Sequence, residues 1–259
     1  MYWLPPRKKL PWQARPAICC PYSMTSTPLK TSNISVIIPT LNEEGRIRRL
    51  GQMLKPLVGE IILVDGGSTD RTVNIAEDIG FTVLHSSPGR ANQMNKGAQH
   101  SRGTILLFLH ADTALPDNFV QPILEAFQDT KTVLTAFSLA VDTENPLLRG
   151  IIGIANLRSR WLHLPYGDQA IALRAATFFR LGGFPDLPIM EDYELVKRAS
   201  RVGSIVTFEQ QVITSARRWK RLGILQTTLI NQLVVIGFKL GVSPARLALL
   251  YRRGLTRFN

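Results

Sequence analysis

Ile105-Leu106-Leu107-Phe108-Leu109-His110-Ala111-Asp112-Thr113 is the stretch whose reading decides the fold. Its five leading apolar residues follow the breaker Gly103 and are too few for a membrane span. Such a run reads as a strand buried on both faces, as in parallel sheets covered by helices. It stops at an imidazole and a carboxylate, which a buried strand does not need. Open α/β sheets bind ligands beyond the carboxyl ends of their strands, so His110 and Asp112 are read as the lip of a site.

Upstream, Ile34-Ser35-Val36-Ile37-Ile38-Pro39-Thr40 and Glu60-Ile61-Ile62-Leu63-Val64-Asp65 have the same buried character and also end on polar groups. Between them the spacing of Ile47, Leu50, Leu54 and Leu57 predicts a helix over 43–57 with Asn42 as its cap. The turn Gly66-Gly67-Ser68-Thr69-Asp70 leads to a helix over 71–79, a strand over 82–85 and a helix with a basic start over 90–101. This alternation predicts right-handed crossovers and a doubly wound, mainly parallel sheet. Downstream, a helix over 117–129, a strand over 133–141 and an amphipathic helix or lid over 146–162 follow. Then come a short strand over 170–174, the turn Gly182-Gly183-Phe184, a helix over 191–202 and a closing strand over 204–208.

Composition bounds the rest. The 259 residues are 45% hydrophobic and 19% charged, which suits a folded domain and excludes disorder over most of the length. Residues 1–32 are an exception, a Pro-rich stretch read as a disordered leader. Its adjacent Cys19 and Cys20 can build neither a disulfide framework nor a zinc site, which fits a reducing, cytoplasmic setting. The net charge is +12, and no Asp or Glu follows Glu209 while nine Lys and Arg do. Such a block attracts anionic lipid or a phosphorylated substrate; the aliphatic residues interleaved with it do not suit nucleic acid. Residues 210–259 are thus a basic helical segment. Within it, Leu222, Leu225, Leu229, Leu233, Ile236 and Leu240 recur at helical spacing, but Gln226, Asn231, Gln232 and Lys239 are too polar for a bilayer centre. With Ser243-Pro244 starting a second helix, the segment reads as an amphipathic helical hairpin. Its apolar face meets either a membrane surface or the protein's own core.

Three strand ends converge on one crevice: Pro39-Thr40, Asp65 with Gly66, and His110-Ala111-Asp112. Neither the dinucleotide fingerprint nor the Walker phosphate loop follows the first strand. Asp65 therefore meets a nucleotide of another kind, or only forms its turn.

Taken together, Val36-Ile37-Ile38-Pro39-Thr40-Leu41-Asn42-Glu43, Ile62-Leu63-Val64-Asp65-Gly66-Gly67-Ser68-Thr69-Asp70, Gly89-Arg90 and His110-Ala111-Asp112 resemble glycosyltransferase family 2. Gly182-Gly183-Phe184 and Glu191-Asp192-Tyr193-Glu194-Leu195 extend the likeness, which spans about 34–208. The resemblance implies the GT-A fold over 33–209, with a nucleotide-binding half over 33–113 and an acceptor half over 114–209. It also implies inverting transfer from a nucleotide-diphosphate sugar, typically a UDP-sugar. On that reading Pro39, Thr40, Glu43, Asp65, Gly66, Arg90, Ala111 and Asp112 hold the donor nucleotide. Asp112 matches the last Asp of the family's D-x-D box, which binds a divalent cation, Mn²⁺ or Mg²⁺. His110 replaces the first Asp, and an imidazole suits Mn²⁺ better than Mg²⁺. Asp192 matches the general base, with Glu191 orienting or structural, and Gly167, Asp168, Gln169, Arg218 and Trp219 fall on the acceptor or sugar side.

A narrower resemblance lies in Tyr166-Gly167-Asp168-Gln169, Pro188-Ile189-Met190-Glu191-Asp192 and Ser215-Ala216-Arg217-Arg218-Trp219. These are similar to bacterial glycosyltransferases described as arsenosugar-biosynthesis or 4,4'-diaponeurosporenoate type. The two descriptions disagree on the acceptor, so the likeness carries the reaction and leaves a hydroxyl or carboxyl of a small molecule or lipid. Arg218-Trp219 is similar to the end of the Q-x-x-R-W box of processive synthases. Ser215 stands where Gln is required, so transfer is expected to be nonprocessive, with Trp219 as an interfacial anchor. The enzyme is expected in the cytoplasm, peripheral on the inner face of the cell membrane. A sugar-phosphate nucleotidyltransferase would need a Gly-rich basic loop where Pro39-Thr40-Leu41-Asn42 stands. The alternative is a noncatalytic nucleotide- or membrane-binding protein of the same fold, for which a base at Asp192 has no use.

Overall fold

The computed structural model describes residues 30–256. The reading of the leader, with Cys19 and Cys20, falls almost wholly outside them. Eight strands form one sheet: β1 (Ile34–Thr40), β2 (Glu60–Asp65), β3 (Thr82–His85), β4 (Ile105–Phe108), β5 (Thr113–Ala114), β6 (Thr132–Val141), β7 (Ile171–Arg174) and β8 (Ser204–Thr214). Their order across the sheet is β3-β2-β1-β4-β7-β6-β8-β5. The first half is parallel, with Thr40 level with Asp65 and Ile37 level with Phe108. Direction then reverses: β7 is antiparallel to both β4 and β6, β8 is parallel to β6, and β5 is antiparallel to β8.

Ten helices accompany the sheet among the described residues: α1 (Glu44–Leu54), α2 (Thr72–Asp78), α3 (Arg90–His100), α4 (Val120–Ala126), α5 (Pro146–Trp161), α6 (Ala175–Arg180), α7 (Glu191–Ala199), α8 (Arg217–Leu222), α9 (Ile224–Lys239) and α10 (Pro244–Thr256). Side chains alternate across a strand, and β1 shows the consequence. Val36 and Ile38 join Ile47, Leu50 and Leu54 of α1 and Ile123 of α4 on one face. Ile37 joins Met94 and Ala98 of α3, Phe178 of α6 and Leu195 of α7 on the other. The sheet is thus covered on both sides, and the carboxyl ends of β1, β2 and β4 stay open along one edge.

Three elements depart from expectation. Strand β8 continues to Thr214, beyond the end expected at 208, so the boundary drawn at 209 falls inside a strand. Asn42 does not cap α1. It adopts a left-handed φ of 55°, and Glu43 precedes the helix instead. The leucine stripe of the basic segment faces outward after its first member: Leu222 is buried, and Thr227, Ile230 and Val234 are the buried residues of α9, while Leu225, Leu229, Leu233, Ile236 and Leu240 are exposed.

Candidate active site

The floor of the cleft is built where β1 and β2 end. Asp65 is buried, and its carboxylate accepts the N–H groups of Gly67 (2.9 Å) and Ser68 (3.0 Å), which is the turn-forming role. Asn42 accepts the N–H of Thr69 at 2.9 Å and donates its own N–H to Ser68 Oγ at 2.9 Å, joining the loop after β1 to the turn after β2. Gln93 of α3 was not anticipated. It is buried and donates Nε2 to the carbonyls of both Thr40 and Val64 at 2.8 Å. Gly66 leaves it room, since a Cβ there would come within 3.0 Å of that nitrogen. Pro39, Thr40 and Ala111 are buried around this floor.

The lip follows β4. Leu109 still donates to Ile37 O at 3.0 Å before the chain turns and Thr113 N–H reaches His110 O at 3.1 Å. Burial and the Arg90 guanidinium push the His110 imidazole down to about 4 against the pull of Asp112 and Asp192, so it is neutral at physiological pH. Asp112 lies 3.7 Å from Nη2 of Arg217, which also reaches Glu43 Oε1 at 3.3 Å. Glu43 pairs with Arg46 as well, so two arginines hold it at the mouth. Arg217 is a site residue that the motif reading passed over in favour of its neighbours.

Opposite stands the start of α7. Met190 precedes it at φ 68°, a conformation that costs a non-glycine residue strain and that tends to mark functional positions. Glu191 is buried, with Oε1 2.9 Å from Arg90 Nε and Oε2 without a partner; burial and Asp192 raise its pKa while Arg90 opposes them. Arg90 thus sits against the acids of α7 rather than free in the cleft. Asp192 accepts Gly167 N–H on Oδ2 and Tyr193 N–H on Oδ1, both at 2.7 Å. These bonds orient the carboxylate, and each oxygen keeps a second lone pair. A Cβ at position 167 would meet Asp192 Oδ2 at 3.0 Å, which is why glycine stands there. Asp168 is pushed up to about 6 by burial and by Asp192, with Arg158 and Arg90 opposing. Arg158 in turn stacks on Tyr166 at 3.6 Å.

Two expected contacts are corrected. Gln169 is buried and its amide is bonded within the protein: Oε1 accepts from Ser159 Oγ (2.7 Å) and Tyr166 N–H (3.0 Å), and Nε2 gives one of its two N–H groups to Phe137 O (2.7 Å). It locks the 166–169 loop to α5 and β6. Trp219 is not an interfacial anchor, because it packs against the core beneath α8 with its Nε1 buried and unpaired. Arg218 stacks on Tyr251 at 3.8 Å while its Nε and Nη2 are buried without acceptors. Burial, with Arg90 and Arg221, pulls it down to about 10. Among the described residues that cation has no anion of its own.

Among the described residues, no group of three or more His, Cys, Asp and Glu is placed to hold a metal ion. His110 and Asp112 offer a neutral imidazole and a carboxylate. Two protein donors suit a cation that takes its other ligands from substrate phosphates and water, the usual manner of Mg²⁺-type sites.

A family model described as Glycosyl transferase family 2 matches residues 35–184. The chain belongs to glycosyl transferase family 2. It is 27% identical over 219 residues to the PGL/p-HBAD biosynthesis glycosyltransferase of Mycobacterium tuberculosis, covering 76% of this chain and 80% of that one. Over a shorter stretch of 104 residues it is 31% identical to glucosyl-3-phosphoglycerate synthase of Mycolicibacterium smegmatis, covering 35% of this chain and 34% of that one. The glucosyl-3-phosphoglycerate synthase of M. tuberculosis, solved with Mn²⁺, UDP-glucose and phosphoglyceric acid, superposes with a TM-score of 0.58 at 20% identity over 78% of this chain and 79% of that one. The fold is GT-A, and the protein is a glycosyltransferase.

Proposed function

We propose that this family member is a nonprocessive, inverting glycosyltransferase that moves a sugar from a UDP-sugar to a hydroxyl or carboxyl of a small-molecule or lipid acceptor. One observation carries the reading. Arg90 lies within electrostatic reach of His110 on the lip of β4 and of Glu191 and Asp192 at the start of α7, and His110 is within reach of Asp112 and Asp192. Donor phosphates and an acceptor oxygen need those two sets of groups on opposite sides of one sugar.

Asp192 takes the acceptor proton as that oxygen attacks the anomeric carbon on the face away from the diphosphate. The bond from the anomeric carbon to the diphosphate breaks, and negative charge grows on the leaving oxygen. Arg218, a partly buried cation without a protein anion, and Arg217 beside Asp112 are suited to receive it. A divalent cation, when bound by His110 and Asp112, would neutralise the diphosphate further. The Mn²⁺ and UDP-glucose in the solved M. tuberculosis synthase support that choice of ion and donor. Glu191 keeps Arg90 in place, and Asp168, pushed up to about 6 by burial and by Asp192, sets the charge around the base. The noncatalytic alternative leaves the oriented carboxylate of Asp192 without a purpose.

Calorimetric titration with a panel of nucleotide sugars, with and without Mn²⁺, tests the reading on wild type, Asp112→Asn and Asp192→Asn. One donor should bind with metal dependence, Asp112→Asn should abolish that dependence, and Asp192→Asn should bind normally while losing transfer by about a hundredfold or more. Binding of no nucleotide sugar under any condition would refute it.

A further inference from the structure

We propose that the outer face of α9, with the exposed side of α5 beside it, docks on the surface of an anionic lipid bilayer. Helix α9 is apolar on two opposite faces. Its inner face is occupied: Val234 packs in a cluster with Met190, Tyr193 and Leu247. Its outer face carries Leu225, Leu229, Leu233, Ile236 and Leu240, and Leu225 and Leu240 are 71% and 79% exposed. An apolar helix face is normally covered. Helix α5 contacts α9 and adds Ile154, Leu157 and Trp161 to the exposed apolar surface, Trp161 at 76%. An exposed tryptophan among aliphatic residues is what the membrane–water interface favours, so Trp161 takes the anchoring role that the sequence assigned to Trp219.

Charge identifies the occupant. Lys220 and Arg221 flank the start of α9, Lys239 ends it and Arg246 follows on α10, all exposed, with no acidic residue after Glu209. A second copy of the chain, docked by a two-fold axis on this face, would set those cations against themselves with no carboxylate of the segment to answer them. Single-stranded nucleic acid would find leucines where it needs aromatic stacking platforms. Lipid answers both features at once: acyl chains receive the leucines, and anionic headgroups receive the cations, as on the cytoplasmic face of the cell membrane. No helix of the described residues is long and apolar enough to cross a membrane, so the contact is peripheral.

Sedimentation of the full chain with vesicles tests this without any reference to sugar transfer. Vesicles of equal parts phosphatidylcholine and phosphatidylglycerol should carry the protein down, and phosphatidylcholine alone should carry far less. Leu229→Asn with Leu233→Asn should weaken binding by about tenfold per leucine, and Lys220→Ala with Arg221→Ala by about fivefold per charge. All four side chains are exposed, so circular dichroism and melting should match wild type. Two outcomes would overturn the proposal: no binding of folded wild type to the anionic vesicles, or binding that ignores the leucine changes. A third would do so as well, namely a dimer in analytical ultracentrifugation that the leucine changes dissociate, since a second copy would then own the face.

Discussion

Asp168→Asn should tilt the pH dependence of stability in one direction and His110→Asn in the other. The folded state holds His110 near 4 against 6.5 for a free imidazole. Between those values only the unfolded chain is protonated there, so stability is fully present above 6.5 and is lost as the pH falls toward 4. Asp168 behaves oppositely. Its folded value near 6 exceeds the ordinary 3.8, so the folded chain binds the extra proton, and stability is present below 3.8 and lost as the pH rises through 6. At about 1.4 kcal/mol per pH unit, each displacement is worth about 3 kcal/mol, and the two nearly cancel in wild type. Removing Asp168 exposes the histidine slope. From pH 6 to 4.5, Asp168→Asn should lose about 2 kcal/mol relative to wild type, and His110→Asn should gain about the same. Urea unfolding followed by tryptophan fluorescence at several pH values measures both. Profiles for both variants that run parallel to wild type across this window would refute the assigned burial and charge environment of the cleft.

Three further outcomes follow from particular contacts. Gly167→Ala pushes a methyl against Asp192 Oδ2 at 3.0 Å and, with Asp192 as the proposed base, should lower kcat about tenfold with donor KM unchanged in steady-state kinetics. Gln169→Ala removes the three hydrogen bonds that hold the 166–169 loop to α5 and β6 and should cost about 3 kcal/mol in urea unfolding at neutral pH, while calorimetry shows the nucleotide still bound. Arg218→Met keeps bulk beside Tyr251 and deletes a cation with no anion. It should raise the Tm of the ligand-free protein yet weaken nucleotide-diphosphate binding about tenfold, and a lowered Tm with unchanged affinity would show that the cation serves the fold.

The first half of the chain was legible because period carries it. The strands ending at Thr40, Asp65 and Phe108 are uninterrupted apolar runs bounded by turn residues, and their placement needed no tertiary knowledge. The reversal at β7 was not legible, since Ile171-Ala172-Leu173-Arg174 fits either direction and only pairing with β4 and β6 settles it. In the site, the motif residues came together, but motif reading cannot tell a ligand-facing amide from a buried one. Gln169 and Gln93 are both structural for that reason. Gln93 did leave a trace, lying four residues before Gly97 on the helix face that meets β1 and β2. Arg217 left none, because its partners Glu43 and Asp112 are distant in sequence. The leucine stripe of α9 was seen but its direction was not, since an apolar face looks the same whether protein or solvent lies beyond it.

The seat of α7 bears on how such a chain could be exchanged among relatives. Met190 and Tyr193 flank Glu191 and Asp192, and they rest on Val234, Phe238 and Leu247 of the two last helices, with the Tyr193 and Phe238 rings 5.7 Å apart. The tail is therefore no detachable address label. A recombination that brought in a tail with a different inner face would unsettle the seat of Asp192, the proposed base, whatever it did to the outer one. Inheritance is free to vary the leucines that face outward, while the residues one helical face away are bound to the chemistry.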